Sequence, residues 1–137
     1  MLARAPRSAA EVAARLRRDR VPEESVAAAV ADLAARGYLD DDALAARRAE
    51  ELLLRRGWGP LRVRHELTGR GVADSVIERA IAAVLDDHRP IDLARRALRR
   101  KFPGRVDTAA DRARAGRFLV RRGHPEDVVS ALFEEED

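Results

Sequence analysis

The sequence has no cysteine, one methionine, one lysine (Lys101) and an aromatic content of only 4%. Without cysteine there is no disulfide framework, no thiolate zinc site and no thiol nucleophile. With few aromatics and little Ile or Thr, β-sheets are poorly supplied. No apolar run approaches the roughly 20 residues that span a bilayer. Met1 to Ser8 lacks the apolar core of a secretory signal. A cytoplasmic protein without a membrane segment is therefore expected.

What remains is rich in helix formers. The 137 residues include 26 Arg and 27 Ala, with 46% hydrophobic and 37% charged residues. That apolar fraction argues against disorder, and Ala, Leu, Arg and Glu favour helix, so the expected fold is all-α. Arg far in excess of Lys is what a GC-rich genome tends to write, so the arginines carry information through their positions. The net charge of +3 conceals a segregation. From Leu93 to Arg122 there are eleven cations against two acids, Asp107 and Asp111, whereas Gly123 to Asp137 holds six acids and no Lys or Arg. A local excess of this size can steer association with nucleic acid or an acidic protein surface. The acidic end, Glu134 to Asp137, is expected to be a disordered tail; the alternative is that it folds back on the basic segment before it.

The chain repeats itself. Aligning Leu16, Leu67 and Leu119 places Val21, Val72 and His124 five residues on. Pro22, Ala73 and Pro125 follow, then the acids Glu23, Asp74 and Glu126. Each segment reads as a helix that ends at a basic turn, then a helix opening on Pro at its first position with acids in its first turn. Arg36-Gly37, Arg56-Gly57, Arg70-Gly71 and Arg122-Gly123 are expected helix stops. Ser8 and Glu11 form a capping box. The spacing predicts helices over 8–19, 22–36, 40–56, 60–69, 73–86 and 91–101. A further helix starts at Asp107, with Ala109, Ala113, Gly116 and Val120 on one face, and the last runs from Pro125 to about Glu134. These group as a first repeat over 1–42 with two helices, a second three-helix repeat over 43–89 and a third over 90–137. Units of this size bury little core alone, so they are expected to stack as an elongated tandem array. The shortened first repeat has two readings, a natural truncation or a start site placed too far downstream.

Two stretches now become recognisable. Gly37-Tyr38-Leu39-Asp40-Asp41 is followed by Arg56-Gly57-Trp58-Gly59-Pro60-Leu61-Arg62-Val63-Arg64, Glu66-Leu67 and Gly71-Val72. This resembles the RecX family pattern of G-Y-(L/I)-D-D, a basic residue, G-aromatic-G-P, a basic apolar helix and a glycine stop. Arg100-Lys101-Phe102, Arg117-Phe118-Leu119 and Arg122-Gly123 resemble the family's last repeat, although His124 stands where the family usually has an aromatic or apolar residue. The resemblance covers nearly the whole chain. It implies tandem three-helix repeats and a role in DNA repair, homologous recombination and the SOS response. RecX proteins modulate RecA, the recombinase that polymerises on single-stranded DNA. They bind in the filament groove and mostly inhibit ATPase, filament extension and strand exchange.

The expected contact residues for a RecA filament, or for single- or double-stranded DNA, fall in two clusters. The first is Arg55, Arg56, Arg62 and Arg64 around Trp58. The second is Arg95, Arg96, Arg99, Arg100, Lys101, Arg117, Arg121 and Arg122. Arg forks onto phosphate or carboxylate and stacks on aromatics. Trp58 and Tyr38 are expected to pack at joints between helices, with a stacking platform as the alternative for Trp58. Arg62 stands four residues before Glu66, a helix-surface pair. The other readings are a stand-alone nucleic-acid-binding module and a helical scaffold for an acidic protein.

Catalysis finds no equipment. His65, His88 and His124 lie in different segments without ligand spacing. Gly69 and Gly71 belong to a helix stop and lack the phosphate-loop Lys-Ser/Thr. The serines Ser8, Ser25, Ser75 and Ser130 sit in helix starts or interiors. The expectation is a monomeric regulator that is not an enzyme, with no catalytic residue, metal, cofactor or small-molecule substrate.

Overall fold

The computed structural model describes residues 6–136. Within them are eight α-helices and no strand: α1 (Ala9–Arg18), α2 (Glu23–Ala35), α3 (Asp41–Glu50), α4 (Pro60–Gly69), α5 (Asp74–Leu85), α6 (Pro90–Lys101), α7 (Ala109–Arg121) and α8 (Glu126–Glu136). α3 continues into a π-helical turn, Glu51–Arg55, where a regular helix to Arg56 was expected. Its Arg56 N–H donates to Glu51 O at 3.0 Å. The first repeat opens with α1, as its shortened form led one to expect, and residues 1–5 lie outside the described residues.

The helices begin and end for local reasons. Ser8 accepts from the Glu11 N–H at 3.1 Å and its own N–H donates to the Glu11 carboxylate at 2.8 Å, completing the capping box. Asp40 and Thr108 cap α3 and α7 in the same way, by accepting from Ala43 and Asp111 N–H. Pro60 and Pro90 stand at the first position of their helices, whereas Pro22 sits one residue earlier, as the N-cap. Gly37, Gly57, Gly71 and Gly123 all take positive φ, from 72° to 96°, so the four helix stops read from sequence are real left-handed turns. In the three repeats the carbonyls of Leu16, Leu67 and Leu119 accept from Val21, Val72 and His124 N–H at 3.0–3.1 Å. The sequence repeat is thus a Schellman turn used three times. In the first copy Arg20 takes the left-handed place, with φ 63°.

Two cores follow. Leu44, Leu52, Leu53, Val63, Leu67, Ile77 and Ile81 bury one another among α3, α4 and α5, and Leu93 of α6 joins them. Ile91, Ala94, Leu98, Ala115, Leu119, Val129 and Leu132 make the other among α6, α7 and α8. Phe102 and Phe118 meet edge to face at 5.7 Å beside the second core. The core face of α7 is therefore Ala115 and Leu119, about Phe118, rather than the expected Ala109–Ala113–Gly116–Val120 face. Val120 is 41% exposed. Likewise Tyr38, expected to pack, is 63% exposed; the turn that holds it is fixed by backbone bonds from Tyr38 and Leu39 N–H to Leu33 O and needs no ring.

Accessible surface is 8792 Å², against about 7,100 Å² for a compact monomer of this mass, as a string of small units requires. The links between units repeat. The N-terminus of α1 sits on the α4–α5 turn: Ser8 Oγ donates to Arg70 O, and Arg70 forks onto Glu11. The N-terminus of α4 sits on the α7–α8 turn: Gly59 N–H donates to Arg122 O at 2.7 Å and Leu61 N–H to Gly123 O at 3.0 Å. The unsatisfied donors of one helix start are met by the unsatisfied acceptors of another helix end. The fit is tight: a Cβ on Gly71 would lie 2.4 Å from Ala10 Cβ, and one on Gly59 would lie 2.3 Å from Gly123 backbone.

Candidate interaction surface

The second joint gathers residues of both expected contact clusters. α3 and its π turn leave carbonyls free at their C-terminal end. Three arginines of the next unit reach them: Arg96 donates to Leu54 O at 3.3 Å, Arg100 to Arg55 O, and Arg122 to Arg56 O at 3.4 Å. Cations at a helix C-terminus are favoured by its partial negative charge. Arg56, separated from the second cluster by some forty residues of sequence, thereby joins Arg100, Lys101 and Arg122, with the Arg55 backbone bound beside them. Arg56, Arg100, Lys101 and Arg122 line one small hollow of about 120 Å³ over Gly57 and Ala97. Around it, Arg55 and Lys101 make no ion pair among the described residues, and Arg56 is 3.7 Å from Glu51. The outcome is a basic ridge along the joint, held in place by the same backbone groups that end α3.

Beneath the ridge lies His124, 1% exposed. Its Nε2–H donates to Gly57 O at 3.0 Å, which requires the proton on Nε2. Burial pushes the imidazole below its ordinary pKa; the Gly57 bond opposes that, and the neighbouring Arg122 charge adds to it. The sequence marked His124 as a departure, but its bond across the joint needed the geometry.

The other expected residues lie elsewhere. Trp58 is half-buried against the α3–α5 core, with the Arg62 guanidinium 3.8 Å over its ring, so the packing expectation holds and one ring face is already covered. The expected Arg62–Glu66 pair does not form, because Glu66 is taken by Arg48 at 2.7 Å across helices. Arg64 forks onto Glu78 at 2.7 and 3.0 Å, and that bond holds the Glu78 carboxyl below its ordinary value. Arg95 pairs with Asp92 at 2.7 Å and with Glu135 at 2.6 Å. Glu135 and Arg89, 4.0 Å apart, complete that cluster. The expected disordered tail is thus corrected as far as Glu136: α8 runs through it, and Glu135 turns back on the third unit. Arg99 is exposed on α6, while Arg117 and Arg121 stand on α7 away from the ridge, beside a separate groove. No group of three or more metal-capable side chains occurs among the described residues, and no helix among them is long and apolar enough to cross a membrane.

Helical units coupled end to end, with a basic face along one joint, define a helical-repeat protein. Its relatives give the particular family. A family model described as "RecX, second three-helix domain" matches residues 40–81. A regulatory protein RecX of Ectopseudomonas mendocina is 34% identical over 137 residues, covering 97% of this chain and 87% of that protein. Another, of Geobacillus kaustophilus, is 35% identical over 135 residues, covering 96% of this chain and 49% of that longer protein. The crystal structure of RecX from Lactobacillus salivarius superposes with a TM-score of 0.78 at 19% identity, covering 98% of this chain and 88% of the other. The chain belongs to the RecX family of regulatory proteins.

Proposed function

We propose that this protein binds in the groove of the RecA–single-stranded DNA filament and restrains RecA ATPase, filament extension and strand exchange. The observation that carries this reading is the ridge at the second joint, where cations of two units converge on one face. A groove lined by nucleic acid and acidic protein surface suits such a face. The elongated array supports action by occupancy: laid across neighbouring subunits, it opposes the relative motion that ATP turnover requires.

The test is RecA ATPase on single-stranded DNA with this protein titrated in. Substoichiometric inhibition is expected, reduced at least tenfold in potency by the double variant Arg55→Gln/Arg56→Gln at unchanged helicity. Inhibition only at DNA-saturating amounts, with a steep salt dependence, would instead mark a stand-alone nucleic-acid binder. No effect on RecA at any ratio would overturn the reading.

A further inference from the structure

The third unit carries a feature that the ridge does not use. Between α7 and α8 runs an open groove of about 460 Å³, lined by Ala113, Gly116, Val120, Val129 and Ser130 together with the charged Arg117, Arg121 and Glu126, two cations against one acid. Val120 is 41% exposed. Arg117 and Arg121, one turn apart on α7, make no ion pair among the described residues, although most arginines of this chain are engaged.

The repeat shows that this groove is particular to the third unit. At the offset of 52 that aligns Leu67 with Leu119, Gly116 corresponds to Arg64 and Ser130 to Glu78. In the second unit the Arg64–Glu78 pair bridges the two helices at that place. In the third unit the corresponding pair is a glycine and a serine, and the space stays open. Nothing inside the molecule asks for Gly116. It lies within a regular helix without positive φ. A Cβ there would meet only Phe133 at 3.7 Å and Val129 at 3.8 Å, ordinary contact distances. Glycine in mid-helix forfeits helix stability against alanine, and here its bare Cα leaves the middle of the groove uncovered.

We infer that the α7–α8 groove of the third unit seats a segment of the protein partner, one that presents an aliphatic side chain flanked by carboxylates. The aliphatic group fits the Val120–Val129 floor over Gly116, and the carboxylates meet the forks of Arg117 and Arg121. A DNA backbone offers the cations phosphates but brings no aliphatic anchor for that floor, so charge and apolarity together favour protein. This assigns Arg117 and Arg121 to protein contact and leaves DNA contact to the ridge, and it rests on the RecA-filament reading above.

The experiment measures binding of the full chain to RecA filaments assembled on oligo(dT) with a non-hydrolysable ATP analogue, and separately to free oligo(dT). Gly116→Leu and Val120→Asp are expected to weaken filament binding at least tenfold and leave oligo(dT) binding within twofold. Gly116→Ala guards against a trivial failure to fold: it is expected to raise Tm by about 4 °C while still weakening filament binding severalfold. Filament binding unchanged in all three variants, or lost in parallel with oligo(dT) binding, overturns the groove assignment alone. Absence of filament binding by the unmodified chain overturns this inference together with the reading it rests on.

Discussion

Replacing Gly59 by Ala tests the coupling between the second and third units. Gly59 has φ −91°, an ordinary value for any residue. On backbone grounds alone the substitution would stabilise by about 0.4–1 kcal/mol, by reducing the freedom of the unfolded chain. The contact reverses the sign. The added methyl would lie 2.3 Å from Gly123 C, Gly123 O and His124 N, all backbone atoms, so no rotamer change relieves it and the joint must open. Opening loses the Gly59–Arg122 and Leu61–Gly123 bonds, about 1 kcal/mol each, and a similar amount where the His124–Gly57 bond is strained. The net expectation is a destabilisation of about 2–3 kcal/mol, or about 10 °C in Tm for a chain of this length. Trp58 is the sole tryptophan and adjoins Gly59, so its emission reports the joint locally while far-UV circular dichroism reports all helices. In an array coupled by nearest neighbours, the two midpoints should separate in the variant. Gly69→Ala is the control: a Cβ there meets nothing within 4 Å, and that variant should gain about 0.5–1 kcal/mol. A Gly59→Ala protein within 0.5 kcal/mol of wild type, with unchanged Trp58 emission, would refute the reasoning.

Acidification should weaken the joint through His124. Because its folded pKa is depressed, the unfolded chain binds the proton first as pH falls. Stability is fully present above the ordinary value of about 6.5 and declines as pH drops from there toward the folded value. His124→Leu should be less stable than wild type at pH 7.5, since Gly57 O loses its donor, and should have a flatter Tm profile between pH 7 and 5; parallel profiles would contradict the assignment. Among the ridge arginines, Arg100→Gln and Arg122→Gln should each lower stability by about 1 kcal/mol in urea unfolding, since each removes a charged donor from a helix end. Arg55→Gln and Arg121→Gln should stay within about 0.5 kcal/mol, so any loss of RecA inhibition in them reads contact directly. A double-mutant cycle on Arg48 and Glu66, half-buried and joined at 2.7 Å, should give a larger coupling than one on the exposed Arg79–Asp42 pair, which should fall below about 0.5 kcal/mol.

The helices were legible because their signals are local. The capping box at Ser8, the glycine stops at 37, 57, 71 and 123 and the Leu-to-Val spacing of the repeat depend on residues within a turn or two, and each took the expected conformation. What depends on how units meet was not legible. Arg62 lost its expected partner because Arg48 of another helix takes Glu66 and Trp58 offers a ring nearer by. Periodicity put Val120 on an apolar face of α7 but could not say which face turns inward; the core chose Ala115 and Leu119. The acidic end looked like a solvated tail until Arg89 and Arg95 stood across from Glu135. The merging of two Arg clusters into one ridge depends on α6 and α7 lying over the end of α3, a relation no linear pattern carries.

The Arg20 turn carries a consequence for how such proteins grow. Where the α4–α5 and α7–α8 turns each receive the start of a helix, their left-handed residue is Gly71 or Gly123, and a side chain there would collide with the incoming helix. At the α1–α2 turn the same left-handed place holds an exposed arginine, and its Cβ fills the space an incoming helix would need. A unit coupled there in the way the other two joints are would therefore meet a side chain where those joints have a bare glycine.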